Sequence, residues 1–126
     1  MKYTDTHEWY LDGKVGVSKY AQKELGEIVY IELPKVGQIV RAGEEVAVLE
    51  STKAAADIYS PISGTVTGVN IKLKEDVNLL NQSPEGAGYL FEITPSYPEE
   101  VELLLTADDY LKLAGGAVPQ YTKPPL

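Results

Sequence analysis

A lysine stands in a short turn of small residues between two segments with the composition of β-strands. Residues 46–49 read Val-Ala-Val-Leu and residues 56–59 read Ala-Asp-Ile-Tyr, with Lys53 midway between them. A lysine in such a turn has no core to pack against, so we expect its side chain to extend into water. The pattern therefore predicts a hairpin that presents Lys53 where a modifying enzyme can reach it.

The first third of the chain predicts a hairpin, a short helix and a strand. Asp12-Gly13 separates two short apolar runs, and this pair favours the tight turn of a two-residue hairpin. Ser18 is a typical N-cap for a helix at about residues 19–25, which Gly26 ends. Residues 28–33 are β-branched and aromatic, which predicts a strand that ends at Pro34.

A faint internal repeat predicts the architecture. Pro34 and Gly37 are matched by Pro61 and Gly64 at the same spacing, and each pair leads into a β-rich stretch. Each copy then reaches an acid-valine step, and Lys53 lies between the copies. We therefore predict a mainly β fold, a sandwich or flattened barrel of two pseudo-symmetric sheets.

The last third predicts two short helices and a tail. Ser96 and Glu99 have the spacing of a capping box and predict a helix that runs through Leu105. Thr106 caps a second helix, with acids at its positive end. We expect a single domain over residues 3–112 and a loosely ordered tail over residues 113–126, which contains three prolines.

Composition excludes several classes of function. The chain has 126 residues and a formal net charge of -8, which argues against binding to nucleic acid or to an anionic membrane. It has no Cys and a single histidine, His7, so it lacks the residues of a zinc site or of a Ser-His-Asp triad, and we expect His7 to pack structurally. The polar start of the chain predicts neither a secretory signal nor a membrane span, hence a cytoplasmic protein of bacterial type.

The chain resembles the H-protein family of the glycine cleavage system, a family of lipoyl carriers. The stretch Glu-Ser-Thr-Lys-Ala around Lys53 is similar to the lipoyl-lysine turn, and further matching stretches follow in order over about residues 3–112. They are His-Glu-Trp at 7–9, residues 20–22 and 25–34, Asp57, Ser-Pro-Ile-Ser-Gly at 60–64, residues 69–70 and 78–81, and the helices from 104 to 110.

The resemblance implies a carrier and not an enzyme. It implies that lipoic acid is joined to Lys53 through an amide. The lipoyl group would accept an aminomethyl group from glycine decarboxylase and deliver it to a tetrahydrofolate-dependent aminomethyltransferase, after which dihydrolipoyl dehydrogenase would reoxidise it. A lipoate-attaching enzyme completes the set of implied partners, and we expect the carrier to be a monomer.

The resemblance also implies a cleft in which the loaded arm is shielded from water. The Glu8 carboxylate is expected to receive the ammonium of the cargo, and Thr6 and Asp57 are expected to contribute further acceptors. The alternative is that Glu8 and Asp57 are ordinary surface acids.

Other carriers remain open as interpretations. A biotinyl carrier has methionines beside its lysine, whereas Lys53 is flanked by Thr52 and Ala54. A lipoyl domain of a 2-oxo-acid dehydrogenase is usually shorter and tethered by Ala/Pro-rich linkers. A paralogue that relays lipoyl groups to other proteins has nearly the same sequence pattern.

Overall fold

The computed structural model describes residues 1–116 and contains nine strands and five helices within them. The strands are β1 (Lys2–Tyr3), β2 (Glu8–Leu11), β3 (Lys14–Val17), β4 (Ile28–Glu32), β5 (Ile39–Val40), β6 (Glu45–Ser51), β7 (Ala55–Tyr59), β8 (Gly64–Val69) and β9 (Phe91–Pro95). The helices are α1 (Lys19–Leu25), α2 (Lys72–Glu75), α3 (Asn78–Gln82), α4 (Glu99–Glu102) and α5 (Ala107–Gly116).

Two antiparallel sheets form the fold. The larger sheet has the order β1-β2-β3-β9-β8-β5, and the smaller has the order β4-β6-β7. The predicted mainly β class with two sheets and short helices is confirmed, in the form of an open sandwich. The two Pro-x-x-Gly copies lead into β5 and β8, which pair with each other. The later acid-valine steps differ, because Glu45 opens β6 whereas Asp76 lies between α2 and α3.

The main core contains the buried apolar residues of both sheets and of the short helices. Its largest side chains are those of Leu25, Ile28, Leu49, Ile62, Leu80, Leu90 and Phe91. A second cluster of Tyr3, Trp9, Tyr110 and Ala114 joins the N-terminal strands to α5. The rings of Tyr3 and Tyr110 stack at 4.3 Å between centroids. Both ends of the described chain are thereby fixed to one side of the sandwich.

The local signals near the start of the chain are confirmed. Asp12 and Gly13 both have positive φ, 46° and 86°, as a two-residue turn of the I′ kind requires. Ser18 Oγ accepts a hydrogen bond from Ala21 N at 3.1 Å and caps α1. Gly26, at φ 88°, ends that helix.

The prediction of a capping box at Ser96 is wrong. Helix α4 begins at Glu99 after Pro98 and has no side-chain cap, while Ser96 N donates to the Ser63 carbonyl at 2.9 Å. Leu105 is not helical, because its backbone exchanges two hydrogen bonds with Tyr3 at 2.8 and 2.9 Å. The pairing with β1 outweighs the local helical pattern.

The cap of the last helix is confirmed. Thr106 Oγ1 accepts a hydrogen bond from Asp109 N at 3.2 Å at the start of α5. The helix continues to Gly116, so the first four residues of the expected tail are helical. The rest of that tail, residues 117–126, lies outside the described residues, and the division at residue 112 stays a prediction.

Two glycines of β8 should respond differently to substitution by alanine. A Cβ at Gly64 would overlap the backbone carbonyl of Thr94, whereas a Cβ at Gly68 would lie 3.0 Å from Glu92 Oε2, the end of a flexible side chain. We expect Gly64→Ala to lower the free energy of unfolding by about 2 kcal/mol or more and Gly68→Ala by much less. Urea unfolding of the two variants beside the parent measures this, and equal losses would contradict it.

Candidate functional site

Lys53 lies at the tip of the β6–β7 hairpin, and both Thr52 and Lys53 are exposed. The turn is held by Ser51, whose Oγ accepts hydrogen bonds from Lys53 N at 3.2 Å and Ala54 N at 2.9 Å. The same hydroxyl donates to the Ala54 carbonyl at 3.1 Å. Because a serine and the backbone hold the turn, the lysine side chain is left available for chemistry.

The residues before β4 support the base of the turn. Thr52 N donates to the Glu27 carbonyl at 3.1 Å, which ties the turn to the connection between α1 and β4. Asn81 of α3 fixes that connection, since its side chain bonds both Ile28 N at 2.8 Å and the Ile28 carbonyl at 3.0 Å. The turn therefore has a rigid foundation outside its own hairpin.

Gly26 provides the surface over which the Lys53 stem passes. A Cβ at Gly26 would lie 3.3 Å from Lys53 Cε, and the positive φ of Gly26 disfavours any side chain. The aliphatic part of Lys53 thus lies beside bare backbone while the residue as a whole stays exposed. Among the expected site residues, Lys53 and Thr6 are exposed, whereas Asp57 is half-buried and Glu8 is buried.

The structure brings Glu8 and Thr6 together. Glu8 Oε1 accepts hydrogen bonds from Thr4 Oγ1 at 2.7 Å and from Thr6 Oγ1. Glu8 Oε2 accepts one from the backbone N–H of Tyr59 at 3.1 Å. Glu8 is only 1% exposed, so it is not the ordinary surface acid that the alternative interpretation describes.

Burial dominates the electrostatics of Glu8. Loss of solvent raises the pKa of Glu8 to about 7, although the hydrogen bonds from Thr6, Thr4 and Tyr59 N each act to lower it. Hydrogen bonding therefore compensates only part of the cost of removing a carboxylate from water. The group consequently changes charge near neutral pH.

Asp57 lies on β7 between Lys53 and the Glu8 carboxylate. It is half-buried and pairs across the hairpin with Val48. Because side chains alternate along a strand, Asp57 shares a face with Tyr59. The pKa of Tyr59 is raised, first by burial and then by the charges of Asp57, Glu45 and Glu8.

A shallow cleft opens beside Glu8. It has a volume of about 360 Å³ and is lined by Thr4, Asp5, Thr6, Gly43, Tyr59, Ser60 and Pro61. Glu8 lies beneath the two threonines. The cleft and Lys53 are at opposite ends of β7, and the six residue-to-residue steps from Lys53 to Tyr59 span roughly 20 Å of extended chain.

Two members of this site were missed by the sequence reasoning. Thr4 alternates with Thr6 ahead of Glu8, which is a signal that the sequence contains. The backbone N–H of Tyr59 donates to Glu8, which is 51 positions away in the sequence, and a contact of this kind cannot be predicted from residue type.

His7 packs structurally, as expected. It is buried, has a φ of 76°, and its Nδ1 lies 2.7 Å from the Tyr110 hydroxyl. Burial lowers the pKa of His7, which favours the neutral ring beside a neutral phenol. Its left-handed backbone turns the chain immediately before Glu8.

Two further features bear on the class of site. Within residues 1–116, no group of three His, Cys, Asp or Glu side chains is placed to hold a metal ion. Within the same range, no helix has both the length and the apolar character needed to cross a membrane.

A sandwich of two antiparallel sheets with an exposed lysine at a hairpin tip is the architecture that the sequence predicts for a lipoyl-carrier domain. The family model described as glycine cleavage H-protein matches residues 1–115. The glycine cleavage system H protein of Thermotoga maritima is 48% identical over 113 residues, which cover 86% of this chain and 91% of that protein. That of Thermus thermophilus is 46% identical over 112 residues, covering 86% of this chain and 88% of that protein.

A solved structure agrees with these sequences. The crystal structure of a glycine cleavage system H protein from Mycobacterium marinum matches with a TM-score of 0.82 at 35% identity, over 90% of this chain and 95% of that chain. The chain therefore belongs to the glycine cleavage H-protein family.

The buried Glu8 predicts a pH dependence of stability. Its pKa is about 7 in the folded protein against 4.5 for the free group, so between these values the folded state holds a proton that the unfolded chain has released. The free energy of unfolding should therefore fall as the pH rises through this window. At about 1.4 kcal/mol per pH unit, the Glu8 contribution lost between about pH 5 and pH 8 is roughly 2–3 kcal/mol.

The Glu8→Gln variant isolates this contribution from those of other groups. Urea unfolding of both proteins at the two pH values gives the difference in stability at each. We expect that difference to move by roughly 2–3 kcal/mol in favour of the variant at the higher pH. A difference that does not change with pH would mean that Glu8 titrates as it does in the unfolded chain.

Proposed function

We propose that this chain is the lipoyl carrier of a glycine cleavage system, with lipoic acid attached to Lys53. The observation that carries the proposal is the exposed Lys53 on a turn held by Ser51, in a chain of the glycine cleavage H-protein family. The chain carries a bound group between enzymes and does not itself catalyse a reaction.

The residues present fit a lipoyl group. The amine of Lys53 extends from the hairpin, so an attaching enzyme can reach it without opening the fold. When attached, lipoic acid supplies a disulfide that can be reduced and can bear an aminomethyl group. The outer face of β7 leads from Lys53 past Asp57 to the cleft, a direction along which a long arm can lie.

Glu8, Thr6 and Asp57 each contribute differently to shielding a cationic cargo. An ammonium group has three donors and no acceptor, so it needs acceptors and negative charge. Glu8 supplies the buried carboxylate, and Thr6 supplies an exposed hydroxyl at the rim of the cleft. Asp57 supplies a negative charge on β7, between Lys53 and the cleft. An ammonium close to Glu8 favours its ionised form and so lowers its pKa, which strengthens the ion pair in a site with little water.

The partners follow from this role. Glycine decarboxylase would load the arm, a tetrahydrofolate-dependent aminomethyltransferase would unload it, and dihydrolipoyl dehydrogenase would reoxidise it, after an enzyme has attached the lipoate. The net charge of -8 suits association with basic surfaces on such partners. The carrier acts as a monomer in the cytoplasm, and its tether raises the concentration of the bound group at each partner's site.

Attachment at Lys53 can be tested directly. We expect the purified chain, incubated with a lipoate ligase, lipoate and ATP, to gain one lipoyl group that peptide mapping places on Lys53. Lys53→Arg should gain none, while Lys74→Arg, which removes another exposed lysine, should be modified like the parent. A parent chain that stays unmodified would count against the proposal, and biotin on Lys53 in protein from its native host would indicate a carboxylase carrier instead.

The role of Glu8 is tested after loading. Glu8→Ala should leave lipoylation unchanged, because Glu8 is at the far end of β7 from Lys53, and should speed the release of formaldehyde from the loaded protein. A hydrogen bond to a charged group is worth about 1.5–3 kcal/mol, which corresponds to roughly tenfold or more in rate. Glu75→Ala, at an exposed acid of α2, is the control. Equal release rates in all three proteins would remove Glu8 from the arm cleft.

A further inference from the structure

The two threonines above Glu8 are bound to it in different ways. Thr4 N donates to the Glu8 carbonyl at 2.8 Å, and Thr4 Oγ1 accepts a hydrogen bond from Glu8 N at 3.0 Å. The same oxygen donates to Glu8 Oε1 at 2.7 Å. Rotation of the Thr4 side chain would break the last two of these bonds together, so its hydroxyl is fixed.

Thr6 has much more freedom. It is exposed, its hydroxyl donates to Glu8 Oε1, and Thr4 Oγ1 lies 3.1 Å from the Thr6 hydroxyl oxygen. A turn about one side-chain bond would release Glu8 Oε1. It would also direct the lone pairs of the Thr6 hydroxyl into the cleft that Thr6 lines.

The Glu8 carboxylate has limited room for another donor. A carboxylate has about four acceptor positions, and Thr4, Thr6 and Tyr59 N occupy three of them. Glu8 is also almost completely covered. A cation that enters from the cleft therefore reaches the carboxylate most easily by taking the position of the exposed donor, which is Thr6.

We infer that Thr4 is a positioning residue of this cleft: its hydroxyl fixes the Glu8 carboxylate while an incoming alkylammonium group displaces the Thr6 hydroxyl. Thr4 also lines the cleft, but both hydrogen bonds of its hydroxyl described above are to Glu8, so it acts on the cargo through Glu8. The inference rests on the proposed function, because the alkylammonium group is the cargo of the lipoyl arm. It adds a residue that neither the motif around Lys53 nor the His-Glu-Trp motif contains.

The unmodified protein offers the first measurement. Titration of the ¹³C-labelled Glu8 carboxyl by NMR gives its pKa in the parent and in Thr4→Val, Thr6→Val and Thr94→Val. The ionisable groups near Glu8 include Asp5 and His7 in its own loop, Asp57 and Tyr59 on β7, Glu45 on β6, and Tyr110 on α5. None of these changes in the variants, so a shift reports the lost hydroxyl.

Thr4→Val removes a hydrogen bond to the ionised form, so we expect the pKa of Glu8 to rise by about one pH unit. Thr6→Val should raise it as well, because the Thr6 hydroxyl donates to the same oxygen, Glu8 Oε1. Thr94→Val, at an exposed threonine of β9, should leave it unchanged. A pKa of Glu8 that is the same in Thr4→Val and in the parent would overturn the inference.

The second measurement uses lipoylated protein loaded by glycine decarboxylase and glycine. We expect Thr4→Val to speed formaldehyde release roughly tenfold in the parent background and to have no effect in a Glu8→Gln background. Thr4→Ser, which keeps the hydroxyl, should behave like the parent. A purely structural role for Thr4 would instead speed release equally in both backgrounds.

The outcomes separate this inference from the proposed function. If Glu8→Gln speeds release and Thr4→Val does not, Thr4 is not a positioning residue and the arm cleft stands. If Glu8→Gln itself has no effect, the cleft and the role of Thr4 both fail, whereas lipoate attachment at Lys53 is judged by mass alone. Should Thr4→Val not fold, Thr4→Ala replaces it with the same expected results.

Discussion

The position of the cleft relative to Lys53 depends on one hydrogen bond between the two sheets. Glu8 belongs to β2 of the larger sheet and Tyr59 to β7 of the smaller, and Tyr59 N donates to Glu8 Oε2 at 3.1 Å. This contact fixes the end of β7 against the N-terminal hairpin. Because Lys53 lies just before β7, this strand sets the separation between the lysine and the Glu8 carboxylate.

The two parts of the site have different structural origins. The lysine turn is local, since Ser51 and the backbone of residues 51–54 hold it and Gly26 leaves room for the stem. The cleft is assembled from segments that are distant in sequence, residues 4–8 and 43–61. Under the proposed function, changes in the cleft would therefore alter the protection of a bound cargo without altering how an attaching enzyme meets Lys53.

The difference between local contacts and contacts between distant segments also explains what the sequence could predict. The turn at Asp12-Gly13 and the caps at Ser18 and Thr106 follow from chemistry within a few residues, and all of them are confirmed. The capping box at Ser96 failed because its backbone is bound to Ser63, a residue of another segment. The complete burial of Glu8 has a similar cause, since it depends on contacts made after folding, and the sequence left open whether Glu8 was a surface acid.

The hydroxyl of Tyr110 links α5 to the loop that carries Glu8. It lies 2.7 Å from His7 Nδ1 and 2.6 Å from Ser18 Oγ, and it holds the left-handed residue immediately before the carboxylate. Stability in a folded protein is distributed over cooperative units that open together. Undocking of α5 would remove this constraint on His7, so we expect the helix and the Glu8 loop to open together. We therefore expect the amide hydrogens of this loop to exchange at least as fast as the helix opens, so that order beside the cleft depends on an element that does not line it.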